Sequence, residues 1–63
     1  MKVLLTGAAG QLGQALIGRM PDGIELVASS RSGGNGLVAL DLADATACRQ
    51  VVEEHRPDWV LNA

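Results

Sequence analysis

Gly7, Gly10 and Gly13 recur at three-residue spacing between an apolar run, Val3-Leu4-Leu5, and a stretch with helical character. The residue types and their spacing suit one chemistry, the binding of phosphate by backbone amides. A continuous apolar run of this kind reads as a strand buried on both faces of a parallel sheet. Gly7 allows the tight turn out of that strand. Gly10 lets backbone approach a pyrophosphate, and Gly13 lets the first helical turn press against the sheet. The unsatisfied N–H groups of the helix start then face the phosphates. The bland alternative is a turn that only connects strand to helix. A mononucleotide phosphate loop would need Gly-Lys-Ser/Thr at its end. Here Gln11 follows Gly10 and the sole lysine is Lys2, so the pattern fits a dinucleotide instead.

The residue that selects between ribose forms should lie at the end of the second strand, about 20 residues past the glycine turn. An acidic residue there binds the ribose diol and repels a 2′-phosphate. That stretch reads Ser29-Ser30-Arg31 and carries no carboxylate. Arg31 can pair with a phosphate, which predicts NADP(H) as the preferred cofactor with NAD(H) as the alternative. Arg31 as a solvated loop residue is the competing reading. Asn62-Ala63 close the last strand at the carboxyl edge of the sheet, where ligands of open α/β sheets bind. Asn62 could equally satisfy only local backbone.

VLLTGAAGQLG resembles the opening of the extended short-chain dehydrogenases/reductases. Its Gly-Gln-Leu-Gly ending is similar to that of the dTDP-4-dehydrorhamnose reductases. Arg56-Pro57-Asp58-Trp59-Val60-Leu61-Asn62-Ala63 resembles that subfamily's Arg-Pro-Asp-x-x-x-Asn-Ala segment. The likeness covers the whole chain, and the chain corresponds to the family's first part. It implies cofactor contacts at Gly7, Gly10, Gln11, Leu12 and Gly13, at Ser30 and Arg31, at Asp41 and Leu42, and at Asn62 and Ala63. In this family an acid placed like Asp41 holds the adenine amino group, and its neighbour packs on the ring. Asp41 as a helix-entry aspartate is the plainer alternative.

The resemblance further implies reduction of dTDP-4-dehydro-L-rhamnose to dTDP-L-rhamnose, with a sugar-nucleotide substrate bound only by the complete protein. The family's proton donor is a tyrosine followed four residues later by a lysine. This chain has no tyrosine and its lysine lies in the first strand. No catalytic residue is therefore assigned here, and the substrate domain is expected to be absent. A non-catalytic dinucleotide-binding module or redox sensor is the alternative function. Cys48 and His55 share a helical face but lack further partners for a metal. They read as a buried thiol and a helix-end histidine. Glu53 and Glu54, adjacent on a helix, point apart and make a poor acid–base pair.

The elements that must position these residues are those of a Rossmann-type α/β fold. The expected unit is the N-terminal part of an NAD(P)-binding domain over residues 1–63, a parallel sheet of about four strands with two helices. The first helix is expected over Gln11–Met20, with Leu12, Ala15, Leu16 and Met20 on one face. Pro21-Asp22-Gly23 ends it. The second strand covers Ile24–Ser29 and the third Leu37–Leu40, joined by the loop Arg31–Gly36. So short a gap favours a hairpin, since parallel crossovers need a dozen or more residues. The resemblance implies instead a shortened parallel crossover. Asp44 should cap a second helix running to His55, with Cys48, Val51, Val52 and His55 buried. Pro57 stops it, and Trp59–Ala63 form the fourth strand.

Sixty-three residues suffice for one small domain at most. The net charge of −2 argues against a nucleic-acid surface. No apolar run reaches membrane-spanning length, and Val3-Leu4-Leu5 is too short for the apolar core of a signal peptide. The single cysteine fits a reducing cytoplasm. The sheet is expected to leave an apolar edge at its fourth strand, and so to favour self-association.

Overall fold

The computed structural model describes residues 1–63. Its elements are β1 (Lys2–Thr6), α1 (Gln11–Gly18), β2 (Glu25–Ser30), β3 (Val38–Ala39), α2 (Ala45–His55) and β4 (Trp59–Asn62). The strands form one sheet in the order β3-β2-β1-β4, and every neighbouring pair is parallel. β1 is central because its apolar residues tolerate cover on both faces. Val3, Leu4 and Leu5 are all buried. Chain direction reverses across β1: the path runs outward to β2 and β3, then returns past β1 to β4. Right-handed crossovers running in opposite directions place α1 and α2 on opposite faces.

The α2 face holds a core of Leu4, Leu40 and Val51, with Val27, Val38, Ala47 and Cys48 packed against it. α2 begins at Asp44, whose carboxylate accepts from the Ala47 amide at 3.0 Å. It ends at Arg56 in the left-handed conformation, φ 48°, a common helix-closing geometry, and Pro57 after it disfavours further right-handed helix. Val52, expected inside, is exposed, because the packed face turns about Cys48 and Val51. α1 is also rotated from expectation. Leu12 and Ala15 are exposed, whereas Gly13 is buried and Leu16, Ile17 and Met20 are half-buried.

The β2–β3 connection is parallel despite its length. β3 pairs only with the carboxyl end of β2, Ser29 with Val38 and Ser30 with Ala39, so the chain needs no return along the strand. The turn is made by four consecutive left-handed residues, Gly33, Gly34, Asn35 and Gly36. The Leu37 amide donates to the Gly34 carbonyl across Asn35-Gly36, in the manner of a type I′ turn. β4 forms the other edge, with Trp59, Val60 and Leu61 all exposed. No helix is long and apolar enough to cross a membrane.

Candidate functional site

The site begins where β1 ends. Gly7 adopts φ 70°, and a Cβ built there would lie 2.5 Å from the Ala63 carbonyl oxygen. Both conformation and contact demand glycine. The chain then folds back: the Ala8 amide donates to the Ser29 carbonyl at 2.9 Å, and the Gly10 amide to the Gly7 carbonyl at 3.3 Å. The Gln14 side-chain amide donates to the Ala8 carbonyl at 2.6 Å, clasping the turn to α1. Gly13 lies under this turn, where a Cβ would stand 2.6 Å from the Ala8 Cα. Its small size thus serves packing of the helix on the turn itself.

Gly10 differs from both. It is the N-cap of α1 in extended backbone, φ −77° and ψ 174°, which any residue adopts. A Cβ there would come no closer than 3.7 Å to any protein atom outside its immediate neighbours. Neither conformation nor protein packing asks for glycine. The α1 start has no side-chain cap and no acid in its first turn. The amides of Gln11 and Leu12 precede the first intrahelical bond, from the Gln14 amide to the Gly10 carbonyl at 3.0 Å. An uncapped start of this kind presents donors and a partial positive charge to an anion.

The remaining predicted residues gather at the carboxyl ends of the strands. Ser30 closes β2 and is buried. Its hydroxyl accepts from the Gly33 amide at 2.9 Å, so it fixes the loop that follows. Arg31 stands free of the sheet with its side chain 87% exposed, and its Nε lies 3.9 Å from an Asp41 carboxylate oxygen. The carboxyl end of β2 carries no carboxylate, but the fold brings one beside Arg31 from just past β3. So exposed a pair is weak, which leaves Arg31 able to exchange Asp41 for a phosphate. Asp41 also accepts from the Ala43 amide at 3.0 Å, which orders the entry to α2. Leu42 beside it is exposed.

Asn62 accepts from the Thr6 hydroxyl at 2.7 Å, and the Ala63 amide donates to the Thr6 carbonyl at 3.0 Å. These bonds set Ala63 against Gly7 at the point where strand order reverses. Open α/β sheets hold their ligands at that crevice. A cleft of about 420 Å³ opens beside the turn, lined by Ala9, Gln14, Ile17, Asn35 and Leu37. Arg31, Asp41 and Asn62 lie outside its lining.

Sequence reasoning passed over Thr6 and Gln14. Thr6 gives a signal in retrospect: it is a buried hydroxyl directly after the apolar run Val3-Leu4-Leu5. Gln14 gives none, since a single glutamine on a short helix has many roles. Cys48 and His55 lie on α2, far from the glycine turn in sequence. The Cys48 thiol lies 3.8 Å from the Asp41 carbonyl, its weak donor turned to the α2 entry.

The chain matches the RmlD substrate binding domain family over residues 1–63. A protein of Streptomyces antibioticus, named a probable dTDP-4,6-dihydroxy-2-methyloxan-3-one 4-ketoreductase, is 40% identical over 62 residues. That alignment covers 98% of this chain and 19% of the relative. No solved structure matches the chain.

Proposed function

Because the chain belongs to the RmlD substrate binding domain family, we propose that it is the dinucleotide-holding part of a nucleotide-sugar ketoreductase that prefers NADP(H). One observation carries the reading. Gly10 is a glycine that the protein's own conformation and packing do not require, placed at the uncapped start of α1. Open space and unbonded amides at one point suit a pyrophosphate, whose oxygens need close backbone approach. Gly7, Gln11, Leu12 and Gly13 complete that cradle. Arg31 would face the adenosine phosphate, Asp41 and Leu42 the adenine, and Asn62 and Ala63 the middle of the dinucleotide.

Such a cofactor, when bound, supplies hydride to a ketone. The relative's name and the family likeness point to a dTDP-linked 4-keto deoxy sugar as the acceptor. We take dTDP-4-dehydro-L-rhamnose, reduced to dTDP-L-rhamnose, as the substrate. These 63 residues contain no tyrosine, and Lys2 is committed to Glu25 at 3.1 Å on the opposite end of the sheet. Proton donation and sugar binding are therefore assigned to the greater part of a protein of the relative's length. This chain's contribution is to bind and orient.

Calorimetric titration with NADPH tests the binding role, on the protein with Gly10 and on its Gly10→Val variant. Micromolar affinity, about −8 kcal/mol, is expected for the first and none for a second that stays folded. A folded variant that binds as well as the native protein refutes the reading.

A further inference from the structure

The chain holds two asparagines, and the fold treats them oppositely. Asn62 is held in β4. Its side-chain carbonyl accepts from Thr6 at 2.7 Å, and the amide that follows it, on Ala63, donates to Thr6 at 3.0 Å. Asn35 sits at the tip of the β2–β3 turn, exposed, and its neighbour is Gly36. Neither the Asn35 side chain nor the Gly36 amide is engaged in a hydrogen bond. A Cβ at Gly36 would meet nothing within 4 Å. Residues 33–36 are all left-handed and three are glycine, so one cross-turn bond, Leu37 to Gly34 at 2.9 Å, holds the tip. Glycine leaves such a segment wide conformational freedom once that bond opens.

We propose that Asn35-Gly36 is a self-modifying site, at which Asn35 deamidates through a cyclic imide with water as the only co-reactant. The Gly36 amide nitrogen attacks Cγ of Asn35 and forms a new N–Cγ bond. The Cγ–Nδ2 bond breaks, and the Gly36 amide proton departs with the leaving group as ammonia. Water then opens the imide at either carbonyl, giving aspartate or isoaspartate at position 35. Nothing is oxidised or reduced. The glycine after Asn35 removes the side chain that would hinder attack, and the unbonded amide costs no native hydrogen bond. At Asn62 both conditions fail: Ala63 carries a Cβ and its amide is bonded.

The product matters because of its place. Asn35 lines the same cleft as Ala9 and Gln14, beside the glycine turn. Deamidation adds one negative charge to a chain whose formal charge is −2. Isoaspartate would also lengthen the backbone inside a turn that sets the register of β3. The opposition of that charge to a bound phosphate rests on the dinucleotide reading; the imide chemistry does not.

The test is ageing of the native chain in mildly alkaline buffer, with ammonia measured and tryptic peptides weighed. Cleavage after Arg31 and Arg49 separates residues 32–49, which hold Asn35, from residues 50–63, which hold Asn62. The 32–49 peptide is expected to gain one mass unit while the 50–63 peptide stays unchanged, with a matching acidic band on isoelectric focusing. The Asn35→Gln variant should release no ammonia over the same period. An unchanged 32–49 peptide, equal conversion of both peptides, or undiminished ammonia from the variant overturns the proposal.

Discussion

The two helices start alike and are finished differently. Each opens with a backbone bond of 3.0 Å, from Gln14 to Gly10 in α1 and from Cys48 to Asp44 in α2. At α2 a carboxylate then closes the end by accepting from the Ala47 amide. At α1 the same position is Gly10 and nothing closes it. The capped end serves stability, since a side-chain acceptor satisfies a donor that would otherwise depend on water. The open end forgoes that gain and leaves the Gln11 and Leu12 amides unbonded, as the proposed dinucleotide role requires. Within one small sheet, the difference separates a helix whose start is closed by its own side chain from one whose start is open.

This contrast can be broken most directly at Gly10. Gly10→Val should weaken NADPH binding at least about 100-fold, some 3 kcal/mol, while circular-dichroism melting reports a loss of only about 1 kcal/mol, that of a poorer N-cap. Equal losses of affinity and stability would mean that the open end is merely structural. Next in size is the proposed cofactor preference at Ser30 and Arg31. Ser30→Asp together with Arg31→Ala should lower the NADPH-to-NADH affinity ratio by about 1–2 kcal/mol, the screened value of a charge-assisted contact on so exposed an arginine. Parallel titrations with both cofactors measure it, and an unmoved ratio removes Arg31 from the selector.

Asp44→Ala sharpens the other side. It should cost about 1 kcal/mol of stability by denaturant unfolding and leave cofactor affinity alone. A large affinity change would show the two ends to be coupled. The smallest effect comes from making α1 resemble α2: Gly10→Ser should add a few tenths of a kcal/mol and reduce NADPH binding. A variant that gained stability without losing affinity would show the cradle to be roomier than a pyrophosphate needs.

The strand, glycine turn and helix start of the candidate site were legible because glycine spacing, an apolar run and a helix start are local. Asp44 was readable as a cap for the same reason. The rotation of α1 was not. An apolar wheel puts Leu12 inside, whereas the helix seats a glycine, Gly13, beneath the turn, and Leu12 swings outward. The β2–β3 direction was ambiguous because connection length alone favours a hairpin. It was settled by register, with β3 pairing only at the far end of β2. The nearness of Asp41 to Arg31 was invisible for a related reason, since it exists only once β3 lies parallel to β2.

The central place of β1 governs how the chain can acquire its structure. Val3 pairs with Trp59 and Thr6 with Asn62, while Lys2 and Asp58 exchange two bonds of 2.8 Å. β1 therefore finds its second partner only once β4, far along the chain, has been made. Until then one flank of an apolar strand is bare, and no local hairpin can shield it. Non-local parallel pairing of this kind is slow to form. Nascent chains halted before Trp59 would thus be natural clients for a chaperone that grips extended apolar segments.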